Sequence, residues 1–390
     1  MSQTPPDTGT ASTDTGPTPR RWFAWDLDEV SGALGDLGTF LPHIIGAITV
    51  VGMSPAGIFV TFGLFYAVAG GFYGIPIAVQ PMKAASAAIL IKPMTPGAVA
   101  GAGLVIGAFF LIAGSTGLVG RIARALPPTV AAGLQLGLGL SLAGLGIRFI
   151  SHEVWLGIGM CVLMLALMRV RRMPVALIAV IVGAIVGVLT GASPAPPPLQ
   201  LGLHLPHLIW PTLAEVEDGV IHAVLPQIPL TLTNAIIVTA AVSRQLFPDE
   251  SPRVSERNLA ITTGLGNLLA APFGGYLMCH GAGGLTGHFR FGARTATAPL
   301  LLGLTLVALG LFLGSSGYQL LRSIPDAVLG GLLLFSGIDL ALSSRPGEYK
   351  DADLFLVLLM AAIGVAVNPA AAFAVGVPLA YAVKHRWLKV

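Results

Sequence analysis

The chain has 390 residues, of which 54% are hydrophobic and only 10% charged, and its mean hydropathy is +0.83. So little charge cannot cover a soluble globule of this size, which excludes a water-soluble enzyme or regulator and makes a bilayer the expected solvent. The net charge of +3 is too small for a nucleic-acid-binding surface. Fifty glycines and 29 prolines would signal disorder in a polar chain, but most of them sit in apolar runs, where membrane helices tolerate them. Cys161 and Cys279 both fall in apolar segments, which argues against a disulfide framework or a clustered zinc site. No cofactor is expected.

The opening stretch "MSQTPPDTGTASTDTGPTPR" is rich in Thr, Pro and Ser and cannot bury surface, so residues 1–26 are expected to form a disordered cytoplasmic tail. It lacks the apolar core of a signal peptide. Residues 27–390 read as a single membrane transport domain of about 14 spans, several too short to cross a roughly 30 Å core as straight helices. Repeat one covers about 27–191, an external connection about 192–219, and repeat two about 220–390. The connection carries Trp210 and is expected to hold a short interfacial helix. No soluble C-terminal regulatory domain is expected, because the sequence stops at "AVKHRWLKV".

Asp36 in "SGALGDLGTFLPHIIGAI" is the clearest embedded carboxylate. Three roles stay open for it: pairing with Lys83, carrying a coupling proton, or capping backbone beside Gly35 and Gly38. Thr39 can donate to a substrate or bond back to its own helix, and His43 reads as structural. Next comes "GFYGIPIAVQPMKAASAAIL". Pro81 has no backbone N–H to donate, so a helix is predicted to start there, with "IPIAV" as an extended approach; an ordinary proline kink is the competing reading. Lys83 within the bilayer costs about 3 kcal/mol or more on insertion scales, so it should be paired or functional.

The stretches "LPPTVAAGLQLGLGL" and "IPDAVLGGLLLFSGI" share an aliphatic-Pro-x-x-Val-x-x-Gly-Leu pattern at an offset of 198 residues. That offset carries Gln80, Pro81 and Lys83 onto Met278, Cys279 and Gly281, inside a second interrupted segment, "GGYLMCHGAGGLTGHFRFGARTA". With an odd number of spans per half, roughly seven, the repeats must be inverted, although Gly-rich packing alone can mimic such a match. Two helices starting near the midplane would aim their N-termini at one point, where bare N–H groups and the positive dipole ends favour an anion.

The eighth span, "VLPQIPLTLTNAIIV", is disturbed by Pro226 and Pro229 and offers Gln227, Thr231 and Asn234 as uncharged donors, which suits an oxyanion; bonds between helices compete for the same groups. His280 reads as a substrate donor, a proton carrier, or a neutral ring satisfied by backbone. Arg290 and Arg294 read as inner-face charges, and Asp339 as a solvated or pairing group near the inner end of its helix. The run "GLGLSLAGLG" lacks the βαβ context of a nucleotide loop, and neither a His-Glu-x-x-His pair nor a Gly-x-Ser-x-Gly elbow occurs. With the N-terminus inside, 17 of the 21 Lys and Arg fall on the inner side, Lys92, Arg148 and Arg322 fall outside, and Lys83 stays in the membrane. Both termini are therefore expected in the cytoplasm.

Taken in order, "GDLGTFLP", "VQPMKAA", "PQIPLTLTNAI" and "CHGAGGLTGHFRFGAR" resemble the molybdate transporter family, a relative of the sulfate permeases. The resemblance implies an all-α polytopic membrane protein with a seven-plus-seven inverted-repeat fold, core and gate domains, and two half-helices preceded by short extended segments. It also singles out Asp36, Thr39, Gln80, Lys83, Gln227, Asn234, His280, Gly281, Gly283 and Gly284. The expected activity is secondary active import of a tetrahedral oxyanion, molybdate before sulfate, by alternating access. Proton coupling through Asp36 or His280 is attractive, because importing a dianion against an inside-negative potential costs about 2.3 kcal/mol per charge per 100 mV.

A sulfate transporter is the nearest alternative. A nucleobase-proton symporter of the same architecture should place a carboxylate in the eighth or tenth span, where none is evident. An enzyme would need a catalytic pair, and a channel a continuous polar lining. The expected partners are molybdate or sulfate, protons and the lipid bilayer, with no nucleic acid, and the sequence admits a homodimer without requiring one. The expected location is a bacterial inner membrane.

Overall fold

The computed structural model describes residues 22–170, 173–193, 198, 200–249, 252–349, 351–385 and 387. The first half contains α1 (Leu27–Ala33), α2 (Leu37–Thr49), α3 (Pro55–Tyr73), a short strand β1 (Val79–Pro81) and α4 (Lys83–Ile91). It continues through α5 (Pro96–Ser115), α6 (Val119–Ala125), α7 (Pro128–Ile150), α8 (Val154–Leu167) and α9 (Val175–Thr190). A rod from Leu213 to Leu246 opens the second half. It comprises α10 (Leu213–Gly219), a π-helical turn (Val220–Val224), α11 (Leu225–Leu230), a second π-helical stretch (Thr231–Val238) and α12 (Thr239–Leu246). Then follow α13 (Glu256–Ala270), β2 (Met278–His280), α14 (Ala282–Phe291), α15 (Thr297–Arg322), α16 (Asp326–Ser343), α17 (Asp351–Ala366) and α18 (Pro369–Lys384).

Among the described residues, six helices are long and apolar enough to cross a bilayer. The two that follow the strands are not: α4 has 9 residues and α14 has 10, or about 14 Å each at 1.5 Å per residue, roughly half the hydrocarbon core. Each is the second part of a crossing whose first part is extended chain.

Small residues set how the helices pack. A Cβ at Gly63 of α3 would strike the carbonyl oxygen of Gly303 on α15, and one at Gly303 would strike that of Gly63. Gly107 of α5 and Gly264 of α13 stand in the same mutual relation, as do Gly139 of α7 and Gly337 of α16. Close backbone approach of this kind is what small residues contribute to membrane bundles. The first two contacts correspond across the halves, since α3 matches α13 and α5 matches α15 in chain order.

Two bodies emerge from the buried apolar clusters. One gathers α1 to α5, the rod after Leu213, and α13 to α15. The other is built on α7 to α9 and α16, with α17 and α18 packed against α7. Helix α4 contributes Ala84, Ala87, Ala88 and Leu90 to the second cluster as well, so it lies at the seam.

Three boundaries differ from expectation. Helix α4 starts at Lys83, two residues after Pro81, because Pro81 still belongs to the strand and Met82 donates its N–H to the Leu277 carbonyl at 3.0 Å. Of the expected tail, residues 1–21 lie outside the described residues. Residues 22–26 are tied down: the Ala24 N–H donates to Thr297 Oγ1 at 3.0 Å and Asp26 caps α1. The connection after α9 docks on the first body through Gly202 and His204 N–H groups bonded to Phe312 and Leu311, and its helix α10, with a Thr212–Glu215 capping box, runs on into the next crossing. Trp210 is exposed. Buried Glu29 is explained by capping: its carboxylate accepts the N–H groups of Arg294, Thr295 and Ala298 at the start of α15.

Candidate functional site

The extended segments of the two halves pair with each other. Strands β1 and β2 form an antiparallel ladder with Val79 opposite His280, Gln80 opposite Cys279 and Pro81 opposite Met278, all of them buried. Each strand leads directly into its half-helix, so antiparallel pairing sends α4 and α14 away from each other and leaves both N-termini at the centre. The first N–H groups of any helix lack partners within it, and both starts open onto one cavity of about 610 Å³. From the first half Thr39, Gln80 and Lys83 line it; from the second, Gln227, Asn234, His280, Gly281 and Gly283. Gly284 lies behind the wall, where a Cβ would strike Ala78 and the Asp36 carboxylate.

The two helix starts are finished differently. In α4, Gln227 reaches across from the second half and its Oε1 accepts the Ala85 N–H at 2.8 Å, while its Nε2 donates to Thr231 Oγ1 at 2.8 Å. Gln227 thus shapes the site by capping a helix, with its oxygen and one of its two amide N–H groups engaged and the second N–H left over at the wall of the cavity it lines. Its position follows from the sequence around it. Pro226 and Pro229 remove backbone donors from the rod, which widens into π-helical turns on either side of α11. Asn234 lies in the second of these turns, at the cavity wall. Helix α14 begins after Gly281 with no side-chain cap. A Cβ at 281 would overlap Gln80 Oε1, so any larger residue there must push the Gln80 amide off Asp36.

Asp36 is buried, and the Gln80 amide and the Tyr66 hydroxyl donate to its carboxylate, the latter at 3.3 Å. The pairing of Asp36 with Lys83 is not formed. Gln80 stands between Asp36 and the cavity, and Lys83 at the first turn of α4 reaches the other way, to Asp339 on α16, with Nζ to Oδ2 at 3.0 Å. Nor does Asp36 cap its own helix.

His280 is held at both ring nitrogens. Nδ1 lies 3.0 Å from the Ala78 carbonyl, and Nε2 lies 2.9 Å from Thr262 Oγ1, which in turn lies 2.7 Å from the Tyr73 hydroxyl. Nδ1 faces a carbonyl and so donates, while Nε2 faces a hydroxyl that can either donate or accept, and the ring ties the two extended segments together. His43 bridges Ser86 Oγ at 2.8 Å and Ser336 Oγ at 2.9 Å, while Tyr276 donates to the same Ser86. Arg294 turns back onto the Phe289 ring and nearby carbonyls and stays out of the cavity.

Sequence reasoning did not select Tyr66, Thr262, Ser336 or Asp339 as site residues. The last two had a usable signal: Lys83 and Ser86 are three apart on one helix, as are Ser336 and Asp339 on another, so each pair shares a face.

Two interrupted crossings meeting at a polar cavity inside an apolar helical bundle define a membrane transport protein rather than an enzyme. The fold is similar to the transmembrane domain of a cyanobacterium bicarbonate transporter, BicA, with a TM-score of 0.65 and 17% identity over 91% of this chain and 97% of that one. It is also similar to the murine Solute Carrier 26 family member A9 anion transporter in the inward-facing state, with a TM-score of 0.68 and 14% identity over 95% of this chain and 70% of that one. At these identities the likeness establishes the fold alone. Family membership comes from sequence. Residues 28–142 and 219–340 match the family described as "Molybdate transporter of MFS superfamily", and the chain belongs to it. It is 32% identical to Molybdate transporter 2 of Arabidopsis thaliana over 92% of this chain and 88% of that protein. It is 28% identical to Molybdate transporter 1 of Chlamydomonas reinhardtii, over 91% of each. Every cavity residue named above falls inside the two matched stretches.

Proposed function

We propose that this protein imports molybdate by alternating access, seating the dianion between the starts of α4 and α14. The observation that carries the reading is that two half-helix N-termini and the Lys83 ammonium open onto one cavity. Bare N–H groups, aligned peptide dipoles and one fixed cation offset the charge of an oxyanion stripped of water. Thr39 and Asn234 supply neutral hydrogen bonds from the wall, while Gln80, Gln227 and His280 hold the frame. The part of the rod that lines the cavity, from Gln227 to Val238, and α14 have no carboxylate to receive the ring N–H groups of a nucleobase. Sulfate carries the same charge and shape, and competes.

The cavity mouth includes Arg345 and Glu348, which the charge distribution assigns to the cytoplasmic side of a plasma membrane, so the conformation reads as open to the inside, with both termini there. Asp36, neither ion-paired nor capping, is the group we assign to a coupling proton. The mechanism works within one chain and does not require the homodimer.

Uptake of radiolabelled molybdate into proteoliposomes tests the proposal. Saturable uptake that sulfate reduces and uracil leaves unchanged is expected; uptake that uracil blocks, or flux without saturation, would refute it. With an inward proton gradient, Asp36→Asn should abolish the acceleration that acidification of the outside gives the native protein. Unchanged acceleration would remove Asp36 from that role.

A further inference from the structure

The contact between α4 and α16 has two polar rungs. Deeper in the protein, Ser86 and Ser336 are joined through His43, which is 1% exposed. One helical turn away, on the cavity side, Lys83 and Asp339 form an ion pair, with side-chain exposures of 24% and 68%. The inner rung is made of hydroxyl groups on a buried ring; the outer is an ion pair with one well-exposed partner. Both connect the body that carries the half-helices to the body built on α7 and α16.

We propose that Asp339 is a stand-in for the substrate: it holds Lys83 while the site is empty and is displaced from it by the oxyanion. This rests on the reading of the cavity as an oxyanion seat. A dianion at the start of α4 would lie beside Lys83 and therefore within a few ångströms of the Asp339 carboxylate, where like charges repel strongly in a medium less polar than water. One of the two anions has to leave the ammonium. Asp339, 68% exposed against 24% for Lys83, is the partner that water can take over when the ammonium is released. Its departure opens the outer rung and leaves the inner rung through His43 as a pivot, so occupancy of the seat loosens one body from the other. A neutral solute cannot perform this exchange. The arrangement also leaves Lys83 compensated at every stage, as an ammonium at membrane depth requires.

The test is equilibrium binding of molybdate to the purified full chain at fixed ionic strength. Removing the internal competitor by Asp339→Asn should tighten binding by about tenfold, within the range typical of coupled sites, whereas Asp339→Glu should stay near the native value. In transport, Asp339→Asn should lower the apparent KM and the maximal rate together, because release slows. Unchanged or weaker binding by Asp339→Asn overturns the proposal, and a lowered melting temperature without tighter binding marks the pair as merely structural. Should that variant fail to fold, hydrogen exchange on the native protein decides: molybdate should speed exchange at the 336–343 end of α16, and protection there overturns the proposal. Absence of saturable molybdate binding to the native protein would instead refute the oxyanion seat itself.

Discussion

The arm of the site that enters through β1 ends on a lysine and has one of its N–H groups taken by Gln227, whereas the arm that enters through β2 ends on Gly281, carries two further glycines in its first turn and has no side-chain cap. The two arms correspond across the halves, yet one brings charge and the other brings bare backbone. A dianion gains from both, since a fixed cation supplies attraction from any direction and exposed N–H groups supply directional bonds at close range. A second lysine in place of Gly281 would add charge, but it would also fill the space that Gln80 needs to hold Asp36.

The largest effect should come from the charged arm. Lys83→Gln keeps a polar chain at the start of α4 but removes the cation, and molybdate affinity in equilibrium binding should fall by about 100-fold, the scale of a lost hydrogen bond to a charged group. A fall of less than threefold would shift the weight of recognition to the backbone arm. Gly281→Ala forces a methyl group onto Gln80 and should destabilise the protein by about 1–3 kcal/mol, read as a lower melting temperature in detergent. Gln227→Ala uncaps Ala85 and should cost about 1 kcal/mol, while the freed N–H limits any loss of affinity to a few-fold. Gly283→Ala should have the smallest effect. A Cβ at that position meets open space, so helix propensity should stabilise the fold by roughly 0.5–1 kcal/mol while affinity falls by about twofold to threefold. Equal losses of stability at Gly281 and Gly283 would contradict the difference drawn between them.

Much of this frame was legible before any coordinates. Proline, lysine and clustered glycines inside apolar runs are costly unless the helix is broken there, and both breaks occur where that cost appears, at 79–83 and 278–282. The two-residue shift from Pro81 to Lys83 was not legible, because it depends on a ladder formed with a segment about 200 residues away. Partner choice was hidden for the same reason. The sequence presents Asp36 and Lys83 as embedded opposite charges, but only the packing of α4 against α16 brings Asp339, 256 residues distant, to the ammonium. That Ala78 and Thr262 would hold the two nitrogens of His280 was hidden as well, since both partners come from elsewhere in the fold. The prolines of the eighth span did announce an irregular rod, although not that Gln227 would use the irregularity to cap a helix from the opposite half.

The ladder between β1 and β2 fastens one half of the chain to the other at the very place where an ion would rest. His280 and Met82 reinforce that fastening from each end, so parting the two arms would break the ladder and both of these bonds. In the alternating access proposed above, the cradle would therefore travel as one piece against the body built on α7 and α16, turning about the contact through His43.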